Sequence, residues 1–188
     1  MSGRDKFEKF EKLIIFFTYL MRLLPRPILI FLWDWTNRFS QLPFVGLRYV
    51  ILKSMIKSCG VNIKIGTNVQ ILGWDNLVIG DNVSIHSNCY LDATGGIKIE
   101  NNVSIAHNST LLSTNHDWSD ISIPIKYNKV IMKKVIINSD VWIGCGVRIL
   151  AGVNIRERSV VAAGAVVISE VDSNTIVGGI PSRKLKEI

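Results

Sequence analysis

The chain has little of what would hold a protein together through metals or disulfides. It carries three cysteines, Cys59, Cys89 and Cys145, at wide and irregular spacing, and three histidines, His86, His107 and His116. No CxxC occurs, an odd number cannot fully pair, and no secretory signal with a small-residue cleavage site is evident. Free thiols in a reducing compartment are therefore expected. Nothing around Cys145 marks it as an activated nucleophile. C2H2 spacing and RNP-type aromatic signatures are also missing, which sets nucleic acid aside as the partner of a chain with formal net charge +7. Residues 13–33 come nearest to a long apolar run. Arg22, Arg26 and the Pro25/Pro27 pair cut them into pieces much shorter than the ~20 residues that cross a bilayer.

What is present is hydrophobic content of 48% with 20% charged residues, which excludes disorder, on 188 residues, enough for one core with an appendage. Residues 1–12 mix charges with Phe7 and Phe10. Pro25 and Pro27 remove backbone donors and disfavour helix in the residues before them, so two short helices joined there are predicted. Further on, Arg48, Lys53 and Lys57 alternate with Leu47, Val50, Ile51, Met55 and Ile56. Aromatic and basic residues together suit a helix lying among lipid headgroups. Residues 1–60 therefore form an N-terminal helical segment, with peripheral membrane contact expected through residues 1–57. The alternative is packing on the body of the protein or on a neighbouring subunit.

Residues 61–188 keep a six-residue beat. Ile137, Ile143, Ile149, Ile155, Val161 and Val167 are six apart, and four residues after each stand Val141, Val147, Val153, Ser159, Ala165 and Val171. Earlier, Ile65, Ile71, Ile79, Ile85, Leu91, Ile99, Ile105 and Leu111 are spaced 6, 8, 6, 6, 8, 6 and 6. Every third side is two residues longer, and the additions fall at residues 74–76 and 94–96. No helix has this period, and the intervening Asn, Asp and Gly favour turns. Three short strands per coil make a triangular prism with the aliphatics inside, each coil pairing with the next in parallel. The fold expected is mainly β, a parallel β-helix of roughly five coils on the order of 24 Å tall. Residues 173–188 turn back as its cap. Residues 112–134 interrupt the beat as a polar, aromatic loop.

The stretches DVWIGCGVRILAGVNI, SVVAAGAVV and IVGGIPSRKL resemble the hexapeptide-repeat acyltransferases. They are most similar to the branch containing maltose, galactoside and Nod-factor O-acetyltransferases and the O-acetyltransferases of polysaccharide synthesis. The resemblance implies a left-handed coil, a homotrimer, and acetyl-CoA as co-substrate meeting its acceptor in clefts between prisms. It places His116, in STNHDWSD, as the general base, a role that imidazole suits near neutral pH. Asp117 is the adjacent group that could hold its tautomer. His86 and Asp92 match positions that hold the acceptor. Cys145 and Ala163 match positions offering backbone groups to pantetheine, and Arg183 and Lys186 match basic positions that meet CoA phosphates. Ser169 stands where relatives often have lysine. Trp142 either borders the cofactor groove or packs at a corner, and His107, in IAHNST, faces either the cleft or plain solvent, the latter being favoured.

Trp118, Ile121, Ile123, Ile125 and Tyr127 make the loop too apolar to stand free, so it is expected to fold over a neighbouring subunit's cleft, stiffened by Pro124. No metal is expected. A three-histidine zinc hydrase on the same prism would need a different arrangement from the spacings of 21 and 9 found here. The function implied is acetyl transfer to a sugar hydroxyl in capsule, exopolysaccharide or lipopolysaccharide synthesis, in the cytoplasm at the inner face of the cell membrane. The rivals are an N-acetyltransferase acting on an amino-sugar nucleotide and a non-catalytic β-helix scaffold.

Overall fold

Aliphatic side chains six residues apart share one axis only when each set of six makes one short strand and one corner. The computed structural model, which describes the backbone of residues 3–188 and the side chains of residue 10 and residues 12–188, has that form. Positions 1 and 2 and the side chain of Phe7 lie outside the described residues.

Three faces run the length of a left-handed parallel β-helix. The first face stacks Ser58–Cys59, Leu77–Ile79, Ile97–Ile99, Val135–Ile137 and Asn154–Ile155. On the second face lie Lys64–Ile65, Ser84–Ile85, Ser104–Ile105, Trp142–Ile143, Val160–Val161 and Thr175–Gly178. Gln70–Leu72, Tyr90–Asp92, Thr110–Leu112, Arg148–Ile149 and Val166–Val167 form the third face. The second face is thus six parallel strands deep, one more than the five coils expected. Part of the expected cap, Thr175–Gly178, is the sixth rung, and only Arg183–Glu187 turns back antiparallel beside it.

The register follows the sequence spacing. Ile85 pairs with Ile65 and with Ile105, steps of 20 residues, whereas Ile143 pairs with Val161, a step of 18. Every aliphatic of both series is buried, from Ile65 to Val167. The two-residue additions stack at one corner, where the Asn76 side chain donates to the Thr94 carbonyl (2.9 Å). At the other corners the chain turns through a left-handed residue. In the first three rungs this is asparagine, at 62, 68, 82, 88, 102 and 108, the side chain that best tolerates positive φ after glycine.

Three helices, α1 (Gly3–Arg22), α2 (Arg26–Thr36) and α3 (Leu42–Met55), precede the column. The break before Pro27 stands where the prolines put it, but α1 is not short: it starts before the apolar run and spans 20 residues. No helix among the described residues is long and apolar enough to cross a membrane.

The expected headgroup role fails for α3. Its cations turn inward onto the open backbone edge of the first rung. Arg48, 0% exposed, donates from Nε to the Ile65 carbonyl (3.2 Å) and from Nη1 to those of Thr36 and Phe39 (2.5 and 2.8 Å). Lys53 Nζ donates to the Cys59 and Gly60 carbonyls (2.9 and 3.1 Å), and the Tyr49 hydroxyl to Gly60 (2.7 Å). Asn37 imitates a missing strand. Its side-chain amide donates to the Val69 carbonyl (2.8 Å) while its Oδ1 accepts the Val69 N–H (3.1 Å), and Trp33 Nε1 donates to the same carbonyl (3.1 Å). Strand-edge groups that would otherwise be buried unpaired are satisfied by this layer.

Candidate functional site

The sequence-predicted residues gather at two different corners of the prism. The corner between the third and first faces carries Asp92 and the arm. There Thr114–His116 leaves the column and pairs antiparallel with Val130–Met132, His116 opposite Val130. The arm is anchored to the rung below through Asp92. The Asp92 carbonyl accepts both the N–H and the hydroxyl of Ser113 (3.0 and 2.5 Å), and its carboxylate accepts the Thr94 N–H (3.0 Å) and the Thr114 hydroxyl (2.5 Å). Burial alone would raise the Asp92 pKa. The hydrogen bonds from Thr114 and Thr94 outweigh it and hold the carboxyl below its ordinary value.

Beyond this anchor the imidazole of His116 is exposed and makes no hydrogen bond among the described residues. Asp117 does not orient it. The Asp117 carboxylate instead accepts the N–H groups of Trp118 and Ser119 (2.7 and 3.0 Å) and the Ser119 hydroxyl (3.0 Å). A turn at Ile125–Tyr127 and the Asn128 side chain, donating to the Asp120 carbonyl (3.0 Å), close the tip. Trp118, Ile121, Ile125 and Tyr127 remain exposed on it.

The corner between the second and third faces carries His86, His107, Cys145 and Ala163 on successive rungs. His86 follows the inward Ile85. Partial desolvation lowers its pKa, and the charges of Lys64 and His107 push the same way. In rungs one to three the left-handed residue here is Asn68, Asn88 and Asn108; in the next two it is Gly146 and Gly164. A Cβ added to either glycine would meet nothing within 4 Å, so these rungs present bare backbone. Gly146 N–H donates to the His107 carbonyl (3.0 Å) and Gly164 N–H to that of Cys145 (2.8 Å). The N–H groups of Cys145 and Ala163 have no hydrogen-bond partner among the described residues. Gly144, by contrast, is needed for packing, since its Cβ would lie 2.6 Å from the Ala163 nitrogen. Trp142 is 55% exposed on the second face and does not pack into a corner.

At the end of the second face the returning strand bulges between its pairings with Ile176 and Val177. Arg183 pairs with Gly178 and Lys186 with Ile176. Gly178 and Ile176 are two apart on one strand, so both cations lie on the face opposite the inward Val177. Arg183 also lines, with Ser169 and Ser182, a cavity of about 180 Å³.

Asp92 and His116 therefore share one corner, and His86, Cys145 and Ala163 another. One protomer does not bring the two sets together. Sequence reasoning overlooked Thr114 as the partner of Asp92, and Gly146 and Gly164 as the open ridge. The glycines had a signal, as they break the column of Asn68, Asn88 and Asn108. The threonine had none, lying 22 residues from its partner.

No family model matches the chain. Among solved structures it is similar to a hexapeptide-repeat acetyltransferase from Vibrio cholerae, 29% identical over 86% of this chain and 89% of that one, TM-score 0.74. It is similar also to a maltose O-acetyltransferase from Clostridium difficile 630 (28%, 87% and 86%, TM-score 0.78) and to a galactoside acetyltransferase solved with coenzyme A (27%, 82% and 76%, TM-score 0.70). Curated relatives match over a shorter stretch. A galactoside O-acetyltransferase of Escherichia coli K12 is 39% identical over 54 residues, 29% of this chain and 27% of that protein. A 2,3,4,5-tetrahydropyridine-2,6-dicarboxylate N-acetyltransferase of Enterococcus faecalis is 44% identical over 54 residues, 29% of this chain and 23% of that protein. The chain thus spans about a quarter of the length of the curated relatives it matches.

Proposed function

Because the chain belongs to the hexapeptide-repeat acetyltransferase family, we propose that it transfers acetyl from acetyl-CoA to a hydroxyl of a sugar or polysaccharide precursor. The observation that carries this reading is the pairing of an outward imidazole on an anchored arm with a ridge of unfilled backbone donors. Cys145 and Ala163 would bond pantetheine through their free N–H groups, and Arg183 and Lys186 would meet the phosphates of CoA from one face of the terminal hairpin. Names of the similar proteins, galactoside and maltose O-acetyltransferase, support a sugar as acceptor.

In the proposed reaction the acceptor oxygen attacks the thioester carbonyl carbon while His116 accepts the hydroxyl proton. The carbon–sulfur bond then breaks, and the imidazolium returns that proton to the leaving sulfur. Asp92 acts here through Thr114, holding the strand that ends in His116, and a second contact from Asp92 to the acceptor would use its remaining lone pairs. His86 faces the acceptor from the other corner. Since the two half-sites lie on different corners, a neighbouring prism has to supply the missing half, which supports the homotrimer. The apolar tip of the arm would then be covered by that neighbour.

The test is His116→Ala, assayed by release of free CoA thiol from acetyl-CoA with a panel of sugars and amino sugars. Loss of about 10²- to 10⁴-fold in kcat with CoA affinity retained is expected; unchanged turnover would overturn the assignment. The relatives named as N-acetyltransferases favour one second reading, transfer to an amine. Base-labile ester products distinguish the hydroxyl acceptor from an amide-forming one.

A further inference from the structure

We propose that the outer surface of the N-terminal helices docks on an anionic lipid bilayer. The proposal does not rest on the acetyl-transfer reading. α1 meets the body of the protein through Ile14, Thr18 and Met21, and α2 through Leu29, Trp33 and Thr36. Turned the other way are Phe16, Leu20, Leu23, Phe31 and Trp35, which are 44–68% exposed. Side chains at i, i+3, i+4 and i+7 share one helix face, so Leu13, Phe16 and Leu20 form a continuous apolar stripe on α1 rather than scattered residues.

The charges around this surface point to the occupant. Between residues 12 and 57 one acid, Asp34, faces seven basic residues. Arg48 and Lys53 are spent on the first rung of the column, and Arg26 is bonded to Asp75 (2.7 Å). Lys12, Arg22, Arg38 and Lys57 are left exposed on the N-terminal segment. Aromatic side chains at the water–hydrocarbon boundary with cations reaching anionic headgroups is the composition of an interfacial helix, not of a subunit contact, where exposed like charges would face each other. Position agrees with it. The helical layer bonds to the first rung, at the end of the column, so a membrane there leaves the corners bearing His116 and Cys145 free. Neither α1 nor α2 can span, and the break before Pro27 lets the two lie side by side in the interface.

Flotation of the full chain with vesicles of phosphatidylcholine alone, or of equal parts phosphatidylcholine and phosphatidylglycerol, tests this. The protein is expected to float with the mixed vesicles and at least about tenfold less with the neutral ones. Phe16→Glu with Phe31→Glu should abolish flotation, and Lys12→Glu with Arg22→Glu should remove the preference for phosphatidylglycerol, both with unchanged circular dichroism. Protein that stays at the bottom of the mixed-vesicle gradient overturns the proposal. So does a double phenylalanine variant that still floats, or one whose only change is a smaller oligomer in sedimentation, which would make the face a protein contact.

Discussion

The two halves of the column solve the same corner differently. In the half with 20-residue coils the left-handed positions at this corner are Asn68, Asn88 and Asn108, and the Asn68 side-chain amide donates to Asn88 Oδ1 (2.9 Å); the corner between the first and second faces carries the longer ladder, Asn62 to Asn82 (2.9 Å) and Asn82 to Asn102 (3.0 Å). In the half with 18-residue coils the corresponding ridge is Gly146 and Gly164, with nothing above the backbone. Both residue types accept positive φ. What differs is what the surface can do next. An asparagine side chain covers the ridge, whereas glycine leaves its backbone uncovered. The arm emerges where one solution gives way to the other, and so its histidine stands at the seam between a sealed half and an open one.

Making the open half resemble the sealed one is the strongest way to break that comparison. Gly146→Asn with Gly164→Asn should fold normally, since asparagine fits both turns, yet cover the N–H groups of Cys145 and Ala163. Losing two hydrogen bonds of about 1 kcal/mol each predicts a rise of about 30-fold in Kd for CoA by calorimetry. An unchanged affinity would mean that the ligand does not use this ridge. A smaller effect is expected at the seam itself. Asp92→Asn weakens the clamp on Thr114, and kcat should fall about tenfold with KM for acetyl-CoA unchanged, short of the ~10² that a 1 Å displacement costs.

The same substitution has a pH signature. The folded carboxyl of Asp92 is depressed, so its stabilisation is complete above the ordinary carboxylate pKa of about 3.9 and is lost as pH falls through the lower folded value. Acid unfolding of the parent protein should accordingly be steeper below pH ~4 than that of Asp92→Asn. The smallest effect concerns an exception within the second half. Arg158 holds φ 54° with a side chain poorly suited to it, tied by an exposed ion pair to Asp140 (3.2 Å). Arg158→Asn should stabilise by about 0.5–1 kcal/mol in urea unfolding, the surface ion pair being worth less than the relieved backbone.

The column was readable because burial in a prism is a constraint on every sixth residue. Ile65, Leu91, Ile149 and Val167 declare their inward direction by spacing alone, and the change from 20 to 18 residues is visible before any coordinate. The arm was readable as the place where the beat stops. The helical layer was not. Arg48, Lys53 and Trp33 have the composition of an interfacial helix, and a helix that caps strand edges needs the same mixture of cations and rings. The distinction lies in carbonyls of Cys59, Gly60, Ile65 and Val69, which are backbone groups without a sequence signature. Asp92 was located by its place after Leu91, while its hold on Thr114 arises from coil stacking across 22 residues.

Asn37, with Trp33 and Arg48, also bears on how long the molecule can be. A parallel solenoid has no internal reason to stop, and its last exposed rung is a template for another chain's first. By occupying both backbone groups of Val69 and the carbonyl of Ile65, three side chains turn an edge capable of polymerising into a terminus. Removing them would uncover that edge for pairing with a second chain and convert a problem of stability into one of stoichiometry.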